Sequence, residues 1–258
     1  MTISRLRNKN SYDLTKNKIN ILSIAQSTCR EYGKNPQVLI PSLALILAML
    51  LVHELSRLIL PYLQTTASNV IWSLMATLLQ LVILAYCFSA LLTLSKNIAQ
   101  KKLNSFTEVL TISGKRTPTM FSLLVFTLII FILLNTLALT AGKFALAFNA
   151  SFALTTVIAI WIIGFFGCII FLAFANVLCV IENLKFFASI RTSAHIVTKN
   201  YLIVSLLSII LFTIIYLIDR FISEFLAELI KSLILFPYLA LFLVYFIKQV
   251  RKSGLHTG

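Results

Sequence analysis

Residues 119–141, TMFSLLVFTLIIFILLNTLALTA, form a stretch of 23 residues without one charged side chain. As a helix rising about 1.5 Å per residue, such a stretch spans the roughly 30 Å hydrocarbon core of a bilayer. Comparable lengths and high Leu, Ile and Phe content favour helices over the short alternating strands of a barrel in five further runs. The chain is therefore predicted to be an all-α polytopic membrane protein with six transmembrane helices, the other five at residues 37–63, 68–95, 150–181, 201–217 and 226–247.

The composition excludes a water-soluble globule. Hydrophobic residues make up 59% of the chain and charged residues 12%, against about 45–50% and about 25% in soluble domains. The pI is near 9.9, but the basic residues are scattered around helix ends and form no basic domain, so no nucleic-acid partner is predicted. The predicted partner is the lipid bilayer with its anionic headgroups, while the identity of any protein partner is left open.

The positive charges are unevenly distributed between the two sides of the membrane. With the N-terminus in the cytoplasm, 18 of the 22 Lys and Arg residues lie on cytoplasmic segments, together with four acids. The other side carries four basic and four acidic residues, so the whole net charge of +14 lies on one side. This is the asymmetry of the positive-inside rule, and it predicts cytoplasmic N- and C-termini. Since the first 36 residues lack the apolar core of a signal peptide, the first run is expected to act as an uncleaved anchor.

A short basic turn recurs before three of the membrane runs, at Lys34, Lys115 and Lys199. The spacings of 81 and 84 residues divide a single integral membrane domain, 1–258, into repeat units at about 17–95, 96–181 and 182–252. Units that repeat usually bury their apolar faces against each other, so a pseudo-threefold bundle is one expected arrangement.

Each basic turn follows a polar segment with an apolar stripe, at twelve, nine, five and two positions before the lysine. These spacings place the stripe on one face of a helix, which predicts three amphipathic interfacial helices. Ser105 and Glu108 form a capping-box pattern for the start of the second helix, and Gly33 and Gly114 are suitable stops. The stripe residues are Leu22, Ala25, Cys29 and Tyr32 in the first unit; Leu103, Phe106, Leu110 and Ser113 in the second; and Phe187, Ile190, Ala194 and Val197 in the third.

Two segments of the sequence are distinctive: SIAQSTCREYG at residues 23–33, and FASIRTS at residues 187–193, which is preceded by Glu182. The first resembles the N-terminal signature, and the second the other landmark, of the YciC family of uncharacterised bacterial inner-membrane proteins. The acid followed by Arg-x-Ser also resembles, more distantly, the polytopic membrane domain of glycerophosphodiester phosphodiesterases. The resemblance implies a bacterial inner-membrane location and a molecular function that is not assigned, and it supplies no active site.

Two functional hypotheses follow from these patterns, beside the simpler interpretation that the amphipathic helices only connect the hairpins. In the first, the three helices form a collar that binds lipid headgroups or a protein partner. In this hypothesis the guanidinium of Arg191 suits a phosphate headgroup. For Glu182 a structural reason is sufficient as well, because an acid near a helix N-terminus complements the helix dipole. The residues predicted to bind headgroups or a partner are Lys34, Lys115, Arg116, Glu182, Arg191 and Lys199.

The alternative hypothesis is a transporter or channel for a small or lipidic solute, with a cavity lined by Gln80, Asn135 and Asn176. Glu54 and Arg57 are expected to form an interfacial ion pair at the outer end of the first span. The sequence contains no Ser-His-Asp, nucleotide-loop or paired-carboxylate arrangement and no metal-ligand spacing among its His and Cys residues. An enzyme, a metal and a cofactor are therefore not predicted.

Overall fold

The structure is a computed structural model that describes residues 19–63, 65–102 and 105–253. Those ranges form eight helices and no strand. The helices are α1 (Ile21–Lys34), α2 (Pro36–Tyr62), α3 (Thr66–Gln100), α4 (Phe106–Leu146), α5 (Ala150–Ile181), α6 (Phe186–Lys199), α7 (Tyr201–Phe221) and α8 (residues 224–252). Short turns join α4 to α5 and α7 to α8, and a single π-helical turn interrupts α5 at Phe165–Ile169 and α8 at Lys231–Leu235.

Six of these helices, α2 to α5 with α7 and α8, are long and apolar enough to cross a bilayer. The predicted six-span, all-α membrane protein is thereby confirmed. Several helices are longer than a bilayer requires: α4 has 41 residues and α3 has 35, which at about 1.5 Å per residue exceeds the roughly 30 Å core. The surplus of α4 belongs to the segment that was predicted to be a separate amphipathic helix.

That second amphipathic segment is continuous with the third span, so the predicted stop at Gly114 is wrong. The helix begins where the capping pattern predicts, because the Ser105 hydroxyl accepts from the Glu108 amide at 3.3 Å. It then runs through Gly114 and even through Pro118. The residue after the lysine is Arg116, a good helix former, whereas the other two lysines are followed by Asn35 and Asn200. Local propensity at one position therefore separates a turn from a continuous helix.

The core of the protein lies in the halves of α3, α5 and α8 that approach the amphipathic segments. Buried side chains are concentrated at residues 85–99, 170–180 and 237–250 of these three helices. Toward the other end of the bundle, large apolar side chains of the same helices are exposed, such as Ile71 at 59% and Ile163 at 71%. Exposed apolar surface of this extent suits contact with lipid.

Each amphipathic segment packs against the last span of another repeat unit. The Tyr32 hydroxyl of α1 donates to the Leu233 carbonyl of α8 at 2.8 Å, and burial raises the pKa of this phenol. The first turns of α4 pack against α3, where the Tyr86 ring lies beside Gly114. In α6 the Ser193 hydroxyl donates to a carbonyl of α5 at 2.5 Å. In all three units the amphipathic segment thus contacts the last span of a different unit. These contacts link the three units into a closed ring.

The span α7 is the least buried of the six. Val204 is the one buried residue of α7, and near mid-span its Phe212 ring meets Phe165 of α5 with centroids 4.5 Å apart. At the other end, Lys231 Nζ lies 2.8 Å from an Asp219 carboxylate oxygen and 2.5 Å from one of Glu228. By contrast, α4 and α5 approach closely at Gly164, where a Cβ would stand 2.5 Å from Leu134. This contact agrees with the small-residue packing expected between membrane helices.

Candidate functional site: the collar

The collar is defined here as α1, residues 106–118 of α4, and α6. Its inward face combines hydroxyl-bearing and β-branched apolar residues. Thr28, Val109 and Ser193, each six positions before the repeated lysine, are all fully buried. The other buried residues of the collar are Ile24, Ser113, Ser189, Ile196 and Val197. Short hydroxyl-bearing side chains therefore alternate with valine and isoleucine where the collar meets the spans.

The predicted apolar stripe is divided between two environments. Its members near the lysines, Ser113 and Val197, are buried against the spans, while the members farther from the lysines point outward. Leu22 is 68% exposed and Phe187 is 82% exposed; Leu103 lies outside the described residues. The prediction that the whole stripe lies against the membrane surface therefore fits only its members farther from the lysines. Hydroxyl groups such as those of Thr28 and Ser113 are buried between helices because they donate to carbonyls of their own helix. The outward apolar side chains remain available for the acyl region of a bilayer.

The three repeated lysines are exposed. Lys34 and Lys199 are the last residues of α1 and α6, where a positive charge complements the negative end of the helix dipole. Lys115 lies within the continuous α4 and gains no such interaction. Arg191 is exposed and follows Phe187 by four positions, so the two side chains share one face of α6.

The turns after Lys34 and Lys199 are built alike. The Asn35 side chain donates to the Glu31 carbonyl at 2.8 Å, and the Asn200 side chain donates to the Ile196 carbonyl at 2.9 Å. Each amide thus supplies the hydrogen bond that the next helical turn would have supplied. The backbone carbonyls of both asparagines also accept hydrogen bonds from the first turn of the following span. The Asn35 carbonyl accepts from the Val38 amide at 3.1 Å, and the Asn200 carbonyl accepts from the Val204 amide at 2.9 Å. The basic residue is thereby held at the junction between an amphipathic helix and a span.

Glu182 pairs with Arg251, a residue that no sequence pattern indicated as its partner. Its two carboxylate oxygens accept from Arg251 of α8, from Nε at 2.8 Å and from Nη2 at 2.5 Å. Both side chains are about a quarter exposed. Glu182 lies in the turn between α5 and α6, and no side chain caps the first turn of α6, so its role is to tie two spans together. The sequence signal for Arg251 was the group of basic residues at the end of the last helix. No spacing pattern linked Arg251 to Glu182.

Further cations gather at the collar end of the spans. Arg116 is half-buried, and Lys96, near the end of α3, lies within electrostatic range of Arg116, Lys102 and Glu182. The Lys248 ammonium of α8 donates to the Ala99 carbonyl of α3 at 2.8 Å. The Glu182 carboxylate is already paired with Arg251 and does not offset the other cations. The electrostatic potential at this end of the bundle is therefore positive and attracts anions.

The three intramembrane amides proposed for a solute cavity lie in different environments. Asn135 is exposed on the surface of α4, and Gln80 is half-buried on α3. Asn176 is buried and donates to the Leu172 carbonyl of its own helix at 3.0 Å. None of the three lines either of the two described cavities. These two cavities therefore give the solute hypothesis no support.

Two smaller expectations can be compared directly with the structure. Arg57 Nη1 lies 3.8 Å from a Glu54 carboxylate oxygen, and both side chains are exposed near the end of α2 away from the collar. The expected pairing of Glu54 with Arg57 is thereby confirmed. Among residues 19–63, 65–102 and 105–253, no three His, Cys, Asp or Glu side chains lie close enough together to hold a metal ion. The collar itself presents exposed cations beside exposed apolar side chains.

Comparisons with known proteins do not assign this arrangement to a group. No family model, no curated protein and no solved structure matches the chain. The resemblance to the YciC family is neither supported nor contradicted by these comparisons and stays a prediction.

Proposed function

We propose that the protein is a non-enzymatic membrane-organising element of the bacterial inner membrane that binds anionic lipid headgroups through its collar. The observation that carries the proposal is the pairing of exposed apolar side chains with exposed cations on the same short segments. Leu22 and Phe187 face outward on the helices that end in Lys34 and Lys199. Apolar insertion combined with attraction to anionic lipid is how amphipathic helices bind bilayers.

The charge distribution supports a cytoplasmic collar. Basic residues gather at this end of the bundle, while the opposite end pairs Lys231 with acids and Arg57 with Glu54. A net positive end favours the cytoplasmic leaflet, whose anionic lipids attract each surface cation by about 1 kcal/mol. Both termini would then be cytoplasmic. Membership of the YciC family is part of the same proposal, on the basis of the resemblance at residues 23–33 and 187–193.

Charge reversal at the collar tests this function. The variant with Lys34, Lys115 and Lys199 changed to Glu is reconstituted in nanodiscs of mixed phosphatidylglycerol and phosphatidylethanolamine, and bound lipids are counted by native mass spectrometry. At about 1 kcal/mol per lysine, the preference for phosphatidylglycerol should fall at least about tenfold. The matched control reverses three exposed cations at the other end, Arg57, Lys143 and Arg220. An unchanged preference in a folded collar variant would disprove the proposal.

The transporter hypothesis has less support from the structure. Gln80, Asn135 and Asn176 share no described cavity, and Asn176 already makes a hydrogen bond within its own helix. Solute flux into vesicles that depends on these amides would nevertheless be its direct test. We therefore place the function at the collar.

A further inference from the structure

A cavity of about 210 Å³ lies among four spans, at the side of the bundle next to α2. Its wall is apolar apart from one hydroxyl and one thiol, and it is partly open to the surroundings. No charged residue lines it. Its wall includes Pro41 and Ser42 of α2, Cys87 and Leu91 of α3, Leu124 of α4 and Phe236 of α8.

The depth of this cavity can be judged from the helices that form it. Pro41 follows Lys34 by seven residues and Leu124 follows Lys115 by nine, so at about 1.5 Å per residue the cavity lies about 10–13 Å from these lysines along the spans. Half of a hydrocarbon core is roughly 15 Å thick. The cavity is therefore at the level of acyl chains in the leaflet next to the collar.

We propose that one acyl chain of an anionic phospholipid occupies this cavity while the phosphate of the same lipid lies at the exposed ammonium groups of Lys34 and Lys115. This proposal rests on the proposed function of the collar, and it adds a defined place for a single lipid. The exposed lysines supply charge for the phosphate, and the apolar wall below them suits the chain.

An acyl chain fits the site better than water does. A buried water needs two to four polar partners, and the wall offers mainly carbon. An empty space would leave the lining side chains without contacts on one side, which is unfavourable where mobile chains are adjacent. Leu43 and Leu47 on the same helix are 45% and 66% exposed, so lipid is the surrounding medium at this depth.

The two parts of the site contribute differently to binding. Lipid tails are as apolar as leucine side chains, so moving a chain from the bilayer into the cavity brings no hydrophobic gain. The headgroup charge then decides which lipid binds, and the cavity decides how long it stays. A lipid held at both ends should exchange more slowly than the surrounding lipids.

The test uses a phosphatidylglycerol that carries a photoactivatable diazirine in one acyl chain. The intact protein is reconstituted with this lipid, irradiated, and mapped by peptide mass spectrometry. Adducts are expected on the peptide that contains residues 84–91, at least about fivefold above those on the exposed outer face of α2, because a held chain exchanges slowly. Adducts spread evenly over all lipid-facing surfaces, or an absence of adducts on residues 84–91, would overturn the proposal.

Two variants sharpen the result. Ser42 is 4% exposed and lines the cavity, so Ser42→Phe should fill it and remove the adducts on residues 84–91; Ser42→Leu is the smaller change if the first variant does not fold. Leu47→Phe adds bulk to the same helix outside the cavity and should keep the adducts. A folded, filled variant that keeps wild-type adducts would contradict an acyl chain at this place.

Failure of this inference can be told apart from failure of the proposed function. If the collar charge-reversal variant loses its preference for phosphatidylglycerol but a photoactivatable phosphatidylethanolamine still labels residues 84–91, both proposals are supported. If the preference depends on the lysines but no lipid labels the cavity, the collar function stands and the acyl-chain site is wrong. If the cavity is labelled without any headgroup preference, the bound lipid is not selected by charge, and both the collar function and the anionic lipid proposed here are wrong.

Discussion

The turns after Lys34 and Lys199 differ from the corresponding place after Lys115, although the three segments occupy equivalent positions. In the first and third units an asparagine side chain replaces a helical hydrogen bond, and the chain starts a new helix. In the second unit Arg116 continues the helix, and a 41-residue α4 results. All three segments nevertheless pack on the last span of another unit. The same packing is thus possible with a turn or with a continuous helix. The residue after the lysine, asparagine or arginine, decides which of the two forms.

Introducing proline at equivalent positions should give the largest contrast. Thr117→Pro lies in the interior of α4 and removes a backbone hydrogen bond, which costs about 3 kcal/mol or more. Tyr201→Pro lies at the first position of α7, where the amide needs no helical partner, and should cost much less. Thermal unfolding in detergent, followed by circular dichroism, measures both. Thr117→Ala is the control for the loss of the threonine side chain. Equal losses of stability in the two proline variants would mean that the α4 segment is not a rigid continuous helix.

Removing the asparagine amide should weaken the turn but not the continuous helix. Asn200 is buried, and Asn200→Ala loses the bond to the Ile196 carbonyl, for an expected cost of about 1 kcal/mol. Arg116→Ala, the equivalent change in the second unit, should change stability by less, because within the described residues the Arg116 side chain makes no hydrogen bond. The two variants are compared by denaturation in the same detergent. A larger effect at Arg116 would reverse the comparison and point to a structural role for the cation cluster near Lys96.

Gly114 is a place where the sequence suggested a helix end and the structure has helix interior. Gly114→Ala should stabilise the protein by about 0.5–1 kcal/mol, since alanine favours helix and its Cβ would meet only a Tyr86 ring carbon, at 3.9 Å. Gly142→Ala is the opposite case, because its Cβ would stand 2.5 Å from a Val157 methyl group. The melting temperatures of both variants should shift in opposite directions. Destabilisation by Gly114→Ala would indicate that the chain bends there.

Charge reversal at Lys199 should lower the free energy of unfolding slightly more than charge reversal at Lys115. Lys199→Glu reverses a charge at a helix C-terminus, and the unfavourable dipole interaction should cost about 0.3–1 kcal/mol. Lys115→Glu lies in mid-helix and should leave stability nearly unchanged. Unfolding at low ionic strength, where screening is weakest, measures this difference. If salt does not reduce the cost at Lys199, the effect is not electrostatic.

The sequence predicted the spans and the helix starts well because these depend on local properties. A run such as residues 119–141 has one stable state in a bilayer, and Ser105 caps its helix through a contact three residues away. The partner of Glu182 was missed because Arg251 is 69 residues distant. The burial of Thr28 and Ser193 was missed for the same reason, since a periodic pattern shows which residues share a face but not what that face meets.

The sequence by itself therefore determined a membrane-embedded, all-helical chain of six spans with an uneven distribution of charge, because hydrophobic length and composition allow no other environment. Only the tertiary structure decided that the amphipathic segments bury hydroxyl groups such as those of Thr28 and Ser193 while Leu22 and Phe187 point outward. It also decided that Glu182 joins Arg251, and that an apolar cavity forms among α2, α3, α4 and α8. These features depend on contacts between residues far apart in the chain, which helix packing brings together and local periodicity does not encode.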